Sequence, residues 1–146
     1  MLDRQQLESI LGIDAPWELR DIRWLPEQRR CDIWIGKRLS PREWLAMRRE
    51  PALPEKVWRH LNVIGMQTWL HVTPPLDAEL ENLSWTGSEE HCFTHAMARH
   101  LFTLMTGGMP LATLCRILDI DIADLWRYCD ALHRRRQPIG NAAPGS

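Results

Sequence analysis

The chain has 146 residues, 45% of them hydrophobic and 25% charged, with a formal net charge of −1 at pH 7. That mix belongs to a soluble globular protein of one ordinary domain or two small ones, and the near-neutral charge excludes a global attraction to nucleic acid. The polar amino terminus, MLDRQQLESILGI, excludes a signal peptide, and no apolar run has the length of a membrane span, so we expect a cytoplasmic protein.

Residues 3–12 predict a short helix with Leu7, Ile10 and Leu11 on one side and Gly12 at the stop. WELRDIRW (17–24) and RCDIWIG (30–36) predict two strands, and the Leu25–Arg29 loop with Pro26 fits a hairpin connection. In the second strand Cys31, Ile33 and Ile35 alternate with Asp32 and Trp34, which gives it one apolar face. Ser40 and Pro41 open a short helix over 41–49, which Pro51 and Pro54 end. KVWRHL (56–61) and MQTWLHV (66–72) are two more strands, with Gly65 as the turn and Pro74 and Pro75 closing this half. Residues 76–90 are acidic and mixed, a connector with a little helix. From His91 to Gln137 the pattern is helical, and the tail after it lacks core-forming residues.

The fold class expected is therefore α+β: a small antiparallel β unit with short helices (1–75), a helical domain (90–136) and a loose tail (137–146). Within the helical part, Leu111, Leu114, Cys115 and Leu118 share one face, as do Leu125, Tyr128, Cys129 and Leu132 after a break at Asp119–Asp121. Pro110 fits the first turn of the first of these helices. Asp121 fits the N-cap of the second, with Asp124 at its third position. Two short helices joined this tightly predict a helix-turn-helix packed on the helix before it.

Other constellations are weaker. His91 and His95 are four apart and would reach one ion from one side of a helix, but no CxxC pair supplies further ligands, so no metal is expected and a metal sensor using a distant third ligand is the least favoured reading. No nucleophile sits in a recognisable setting and no glycine loop for phosphate exists, so neither an enzyme nor a cofactor is expected. The four cysteines read as free thiols. Eight tryptophans against one Tyr and two Phe suggest that some indoles lie at a surface.

The segments LGIDAPWELRDIRWLPEQRRCDIWIG, VWRHLNVIGMQTWLHV, FTHAMARHLFTLMTGGMPLATLCRILDI and ADLWRYCDAL, in this order and spacing, resemble the N-terminal region of insertion-sequence transposases of the ISL-three type. The resemblance covers most of residues 10–133 and implies a zinc ribbon followed by a helix-turn-helix, both binding the element's terminal DNA. The chain departs from the pattern where the ribbon's cysteines would stand: Ser40, Pro41, Arg42 and Glu43 replace the first pair, and Pro75, Leu76 and Asp77 lie near the second. Without thiolates the metal cannot be held in that way, and an apolar core must replace it. The sequence also ends where the catalytic domain would begin, so the resemblance implies no transposition chemistry.

Two functions follow as expectations. The first is a non-catalytic module that binds duplex DNA weakly alone and better as a dimer or with a partner. In it Arg116 and Arg127 meet the groove or phosphates, and Arg134, Arg135 and Arg136 meet the backbone. Asp121 and Asp124, in the first turn of the helix that would enter the groove, oppose that role. The second is an adaptor that keeps the fold and binds a protein through Trp24, Trp34 and Trp69.

Overall fold

A computed structural model describes residues 3–49, 54–73 and 83–136; the side chains of 46–49 and 136 lie outside that description. The expected tail, the first part of the connector and the Pro75–Asp77 segment fall outside the described residues.

Helix α1 (Arg4–Leu11) begins at a capping box, in which Asp3 accepts from the Gln6 amide and Gln6 accepts from the Asp3 amide. It ends at Gly12, whose φ of 77° suits a residue without Cβ. Strands β1 (Trp17–Leu25) and β2 (Arg30–Lys37) form the expected hairpin around Pro26–Gln28. Helix α2 (Pro41–Arg49) starts at Ser40, whose hydroxyl accepts from the Glu43 amide at 3.2 Å. Strands β3 (Lys56–Val63) and β4 (Met66–Val72) form a second hairpin. Its two-residue turn places both Ile64 (φ 53°) and Gly65 (φ 69°) in the left-handed region.

The strand order is β1-β2-β4-β3. The antiparallel β unit expected from the sequence is thus corrected to a mixed sheet, because the two hairpins meet through β2 and β4, which run parallel. Turn chemistry decides each hairpin locally. Joining hairpins by their inner strands is a long-range choice, and α2 with β3 supplies the crossover that a parallel pair requires.

One face of the sheet carries Leu19, Cys31, Ile33, Ile35, Trp58, Leu70 and Val72, and packs under Leu7 and Leu11 of α1 and under Trp85. Trp85 meets Trp17 edge to face, with ring centroids 5.2 Å apart. The described part of the connector, residues 83–90, contains turns and an extended bridge between Gly87 and Thr94. Gly87 is required there, because a Cβ would run into the Phe93 carbonyl and the Trp58 ring.

Residues 91–94 were expected to begin a helix. They run beside β3 instead, where Arg59 donates to Cys92 O and Thr94 donates to Arg59 O. Backbone groups on a free sheet edge need partners, and this segment supplies them. Helix α3 (His95–Thr106) starts only after Thr94, which caps the Met97 amide. Helices α4 (Leu111–Leu118) and α5 (Ile122–Arg136) follow. Phe93, Met97, Leu101, Leu114, Ile120, Leu125 and Tyr128 form their shared core, against which Leu61 of β3 also packs.

Candidate nucleic-acid interface

The α4–α5 pair is built as its sequence pattern requires. Pro110, expected in the first turn of α4, stands one position earlier, at its N-cap. Helix α4 ends because Asp119 turns left-handed (φ 56°, ψ 57°), a conformation that Asp tolerates better than most residues. Ile120 then drops into the helical core at 6% exposure, which pins the turn. Asp121 restarts the chain as a helix by accepting from the Ala123 amide at 2.9 Å.

The outer side of α5 is mixed. Arg127 and Arg134, seven residues apart, share a face with Asp130 between them. Arg134 pairs with Asp130 at 3.4 Å. Arg135 points elsewhere and reaches Glu90 at 3.2 Å. Arg127 lines a cavity of about 390 Å³ beside Lys56, Trp58, Glu89 and His91. Arg116 is exposed on α4, whereas Arg136 closes α5 with its side chain outside the described residues. Helical spacing groups Arg127 with Arg134, whereas Arg135 turns toward Glu90 and Arg116 belongs to α4. Beside the Arg127 stripe stand Ile122, at 46% exposure, and Trp126, at 59%.

The three tryptophans expected at a partner surface divide. Trp24 packs against the main core, on the same sheet face as Cys31. Trp34 and Trp69 occupy the opposite face, half-buried among polar groups. There Trp34 stacks on His71, whose Nε2 lies 2.7 Å from an Asp32 oxygen. Arg30 binds both Asp32 oxygens at 2.9 Å and lies over Trp69. Burial alone would raise the Asp32 carboxyl, but the hydrogen bonds and charges of Arg30 and His71 outweigh it and hold it below the usual range. Alternation placed Asp32 opposite the apolar face, and it is nonetheless 5% exposed. The reason is that this second face is lined by its own cluster of rings and guanidinium groups.

His91 and His95 do not share a helix face as expected, because His91 precedes α3. Its Nδ1 accepts from the Phe93 amide at 3.1 Å and its ring abuts Tyr128. Among the described residues no group of His, Cys, Asp and Glu is arranged to hold a metal ion. The cysteines are free, and burial pushes the Cys92 thiol up to about 12 and that of Cys31 up to about 11.

The residue that the sequence did not single out is Arg59 on β3. Its guanidinium, 2% exposed, donates to Leu118 O at 2.6 Å and to Asp119 O at 2.9 Å. These carbonyls end α4, where helix geometry leaves acceptors unpaired and the dipole favours a cation. Asn62 braces the arrangement by accepting from Arg59 at 2.6 Å and donating to Leu118 O at 3.1 Å. Burial lowers the guanidinium to about 10, so it stays charged at neutral pH. The contact spans some 60 positions, and no local pattern announces it.

No helix among the described residues is long and apolar enough to cross a membrane. No family model, curated protein or solved structure matches the chain.

Proposed function

We propose that the protein is a non-catalytic regulatory module that binds duplex DNA, with α5 as the groove-facing helix. The observation that carries this reading is the α4–turn–α5 unit, whose turn is pinned by Ile120 and capped by Asp121 while the outer side of α5 stays exposed. Helices joined in this way present the first turns of the second helix to the major groove. Arg127 stands in that half of α5 and Arg134 follows one face further along. The likeness of the segment order to the transposase N-terminal region supports the same reading.

The test is a titration of a mixed-sequence duplex at several salt concentrations. Affinity is expected to fall steadily with salt, and Arg127→Ala to reduce the logarithmic slope by about one. No binding at low ionic strength overturns the proposal.

A second reading, an adaptor for a protein partner, is favoured by one observation. Ile122 and Trp126 are neighbours on α5 at i and i+4, and both are exposed, as is Ile117 at 59% on α4. Moreover Arg99, Arg116, Arg127, Arg134, Arg135 and Arg136 are balanced by Glu89, Glu90, Asp119, Asp121, Asp124 and Asp130 in this half of the chain. Under this reading Trp126→Ala abolishes self-association or partner binding without changing the melting temperature. Under the DNA reading Trp126→Ala leaves the salt slope intact.

A further inference from the structure

Arg59, with Asn62, stands where β3 reaches the turn that separates α4 from α5. Its backbone is held in the sheet and against the 92–94 segment, and its side chain is held by Asn62. Of its hydrogen-bonding atoms only Nε lacks a partner, so both terminal nitrogens are committed to the turn and to Asn62. A planar guanidinium can bridge two carbonyls at a set separation, whereas a lysine ammonium at the same place can approach only one of them closely. The bridged carbonyls belong to the residues that decide the direction in which α5 leaves α4.

We infer that Arg59, assisted by Asn62, is the positioning residue for α5, fixing its direction relative to the sheet so that the helix is pre-oriented for its DNA partner. The inference rests on the DNA-binding reading for its functional half. Arg59 itself is buried and touches no phosphate. Its role differs from that of Arg116 or Arg127, which are exposed. Pre-orientation spares the cost of ordering a helix at the moment of binding, so its loss weakens affinity without removing an ionic contact.

The experiment uses the full chain carrying Arg59→Lys, which keeps the charge and the stem, with Asn62→Ala as a milder second variant. Amide hydrogen exchange is followed in the free protein, and duplex binding is measured across salt. Exchange at Ile120, Asp124 and Leu125 is expected to rise about tenfold while that at Leu101 in α3 is unchanged. Duplex affinity is expected to fall about tenfold with the salt slope unaltered. Wild-type exchange at the turn, or a slope reduced by about one as for a phosphate contact, overturns the inference. If the unsubstituted protein binds no duplex, the DNA reading and the functional half fail together, and the exchange result alone decides whether Arg59 fixes the turn.

Discussion

Trp34 lies nearly flat on His71, with ring centroids 4.4 Å apart and planes inclined by 17°. The stack fixes an imidazole whose Nε2 faces Asp32 and whose Nδ1 lies 3.4 Å from Glu55 without a hydrogen bond. Asp32 is thus the common acceptor of a buried array on the second face of the sheet. Asp32→Asn is expected to destabilise the fold by about 2 kcal/mol, the usual scale for hydrogen bonds to a charged group. Because the folded carboxyl titrates below its unfolded value, its contribution is present above pH ~4 and is lost as the pH falls below that. Chemical denaturation at pH 7 and pH 3 checks this, and the variant should show the smaller loss on acidification.

His60 works in the opposite environment. It is 3% exposed, its Nδ1 sits 2.8 Å from the Thr94 hydroxyl, and burial lowers its pKa to about 4. Above pH 6.5 the residue is neutral in both states and adds no pH dependence. Between pH ~6.5 and ~4 the unfolded chain takes up a proton that the folded chain refuses, so stability falls by about 3 kcal/mol across that window. Urea midpoints measured from pH 7.5 to pH 4 should show this slope in the wild type and not in His60→Asn.

Ile64 holds a left-handed conformation at 68% exposure in the β3–β4 turn. A β-branched residue is strained there, whereas Asn followed by Gly is the preferred pair for such a turn. Ile64→Asn is expected to raise stability by about 1 kcal/mol. A thermal melt with an unchanged or lower midpoint would contradict this assignment of strain.

Asp121 caps α5 but places a carboxylate where the helix would meet a polyanion. Asparagine caps as well as aspartate. Asp121→Asn should therefore leave the melting temperature unchanged and tighten duplex binding by roughly threefold at low salt. Asp121→Ala, which removes the cap, should instead cost about 1 kcal/mol of stability. An Asp121→Asn protein with wild-type affinity would place the start of α5 away from DNA.

The local elements were legible because their causes are local. Gly12 ends α1, Ser40 and Pro41 start α2, Asp121 starts α5, and the alternation of Cys31, Ile33 and Ile35 marks the buried face of β2. Helix α3 begins four residues after His91, the residue at which the sequence pattern starts it. His91–Phe93 have a helical pattern, but the edge of β3 offered their backbone a better set of partners. Trp24 was expected to face a partner because strand alternation alone does not say which side is covered. The bulge between Leu19 and Asp21 shifts the alternation of β1 and turns Trp24 toward the core.

The amino-acid sequence by itself determined the order of helices and strands, the two hairpins and the break between α4 and α5, since capping, turn chemistry and hydrophobic period act within a few residues. Only the tertiary structure decided the parallel joining of β2 to β4, the buried charge array around Asp32, and the seat of Arg59 on the end of α4. Each of these joins groups far apart in the chain. Desolvated charges and edge backbones must find partners wherever packing brings them, and no short window of sequence records which partner that is.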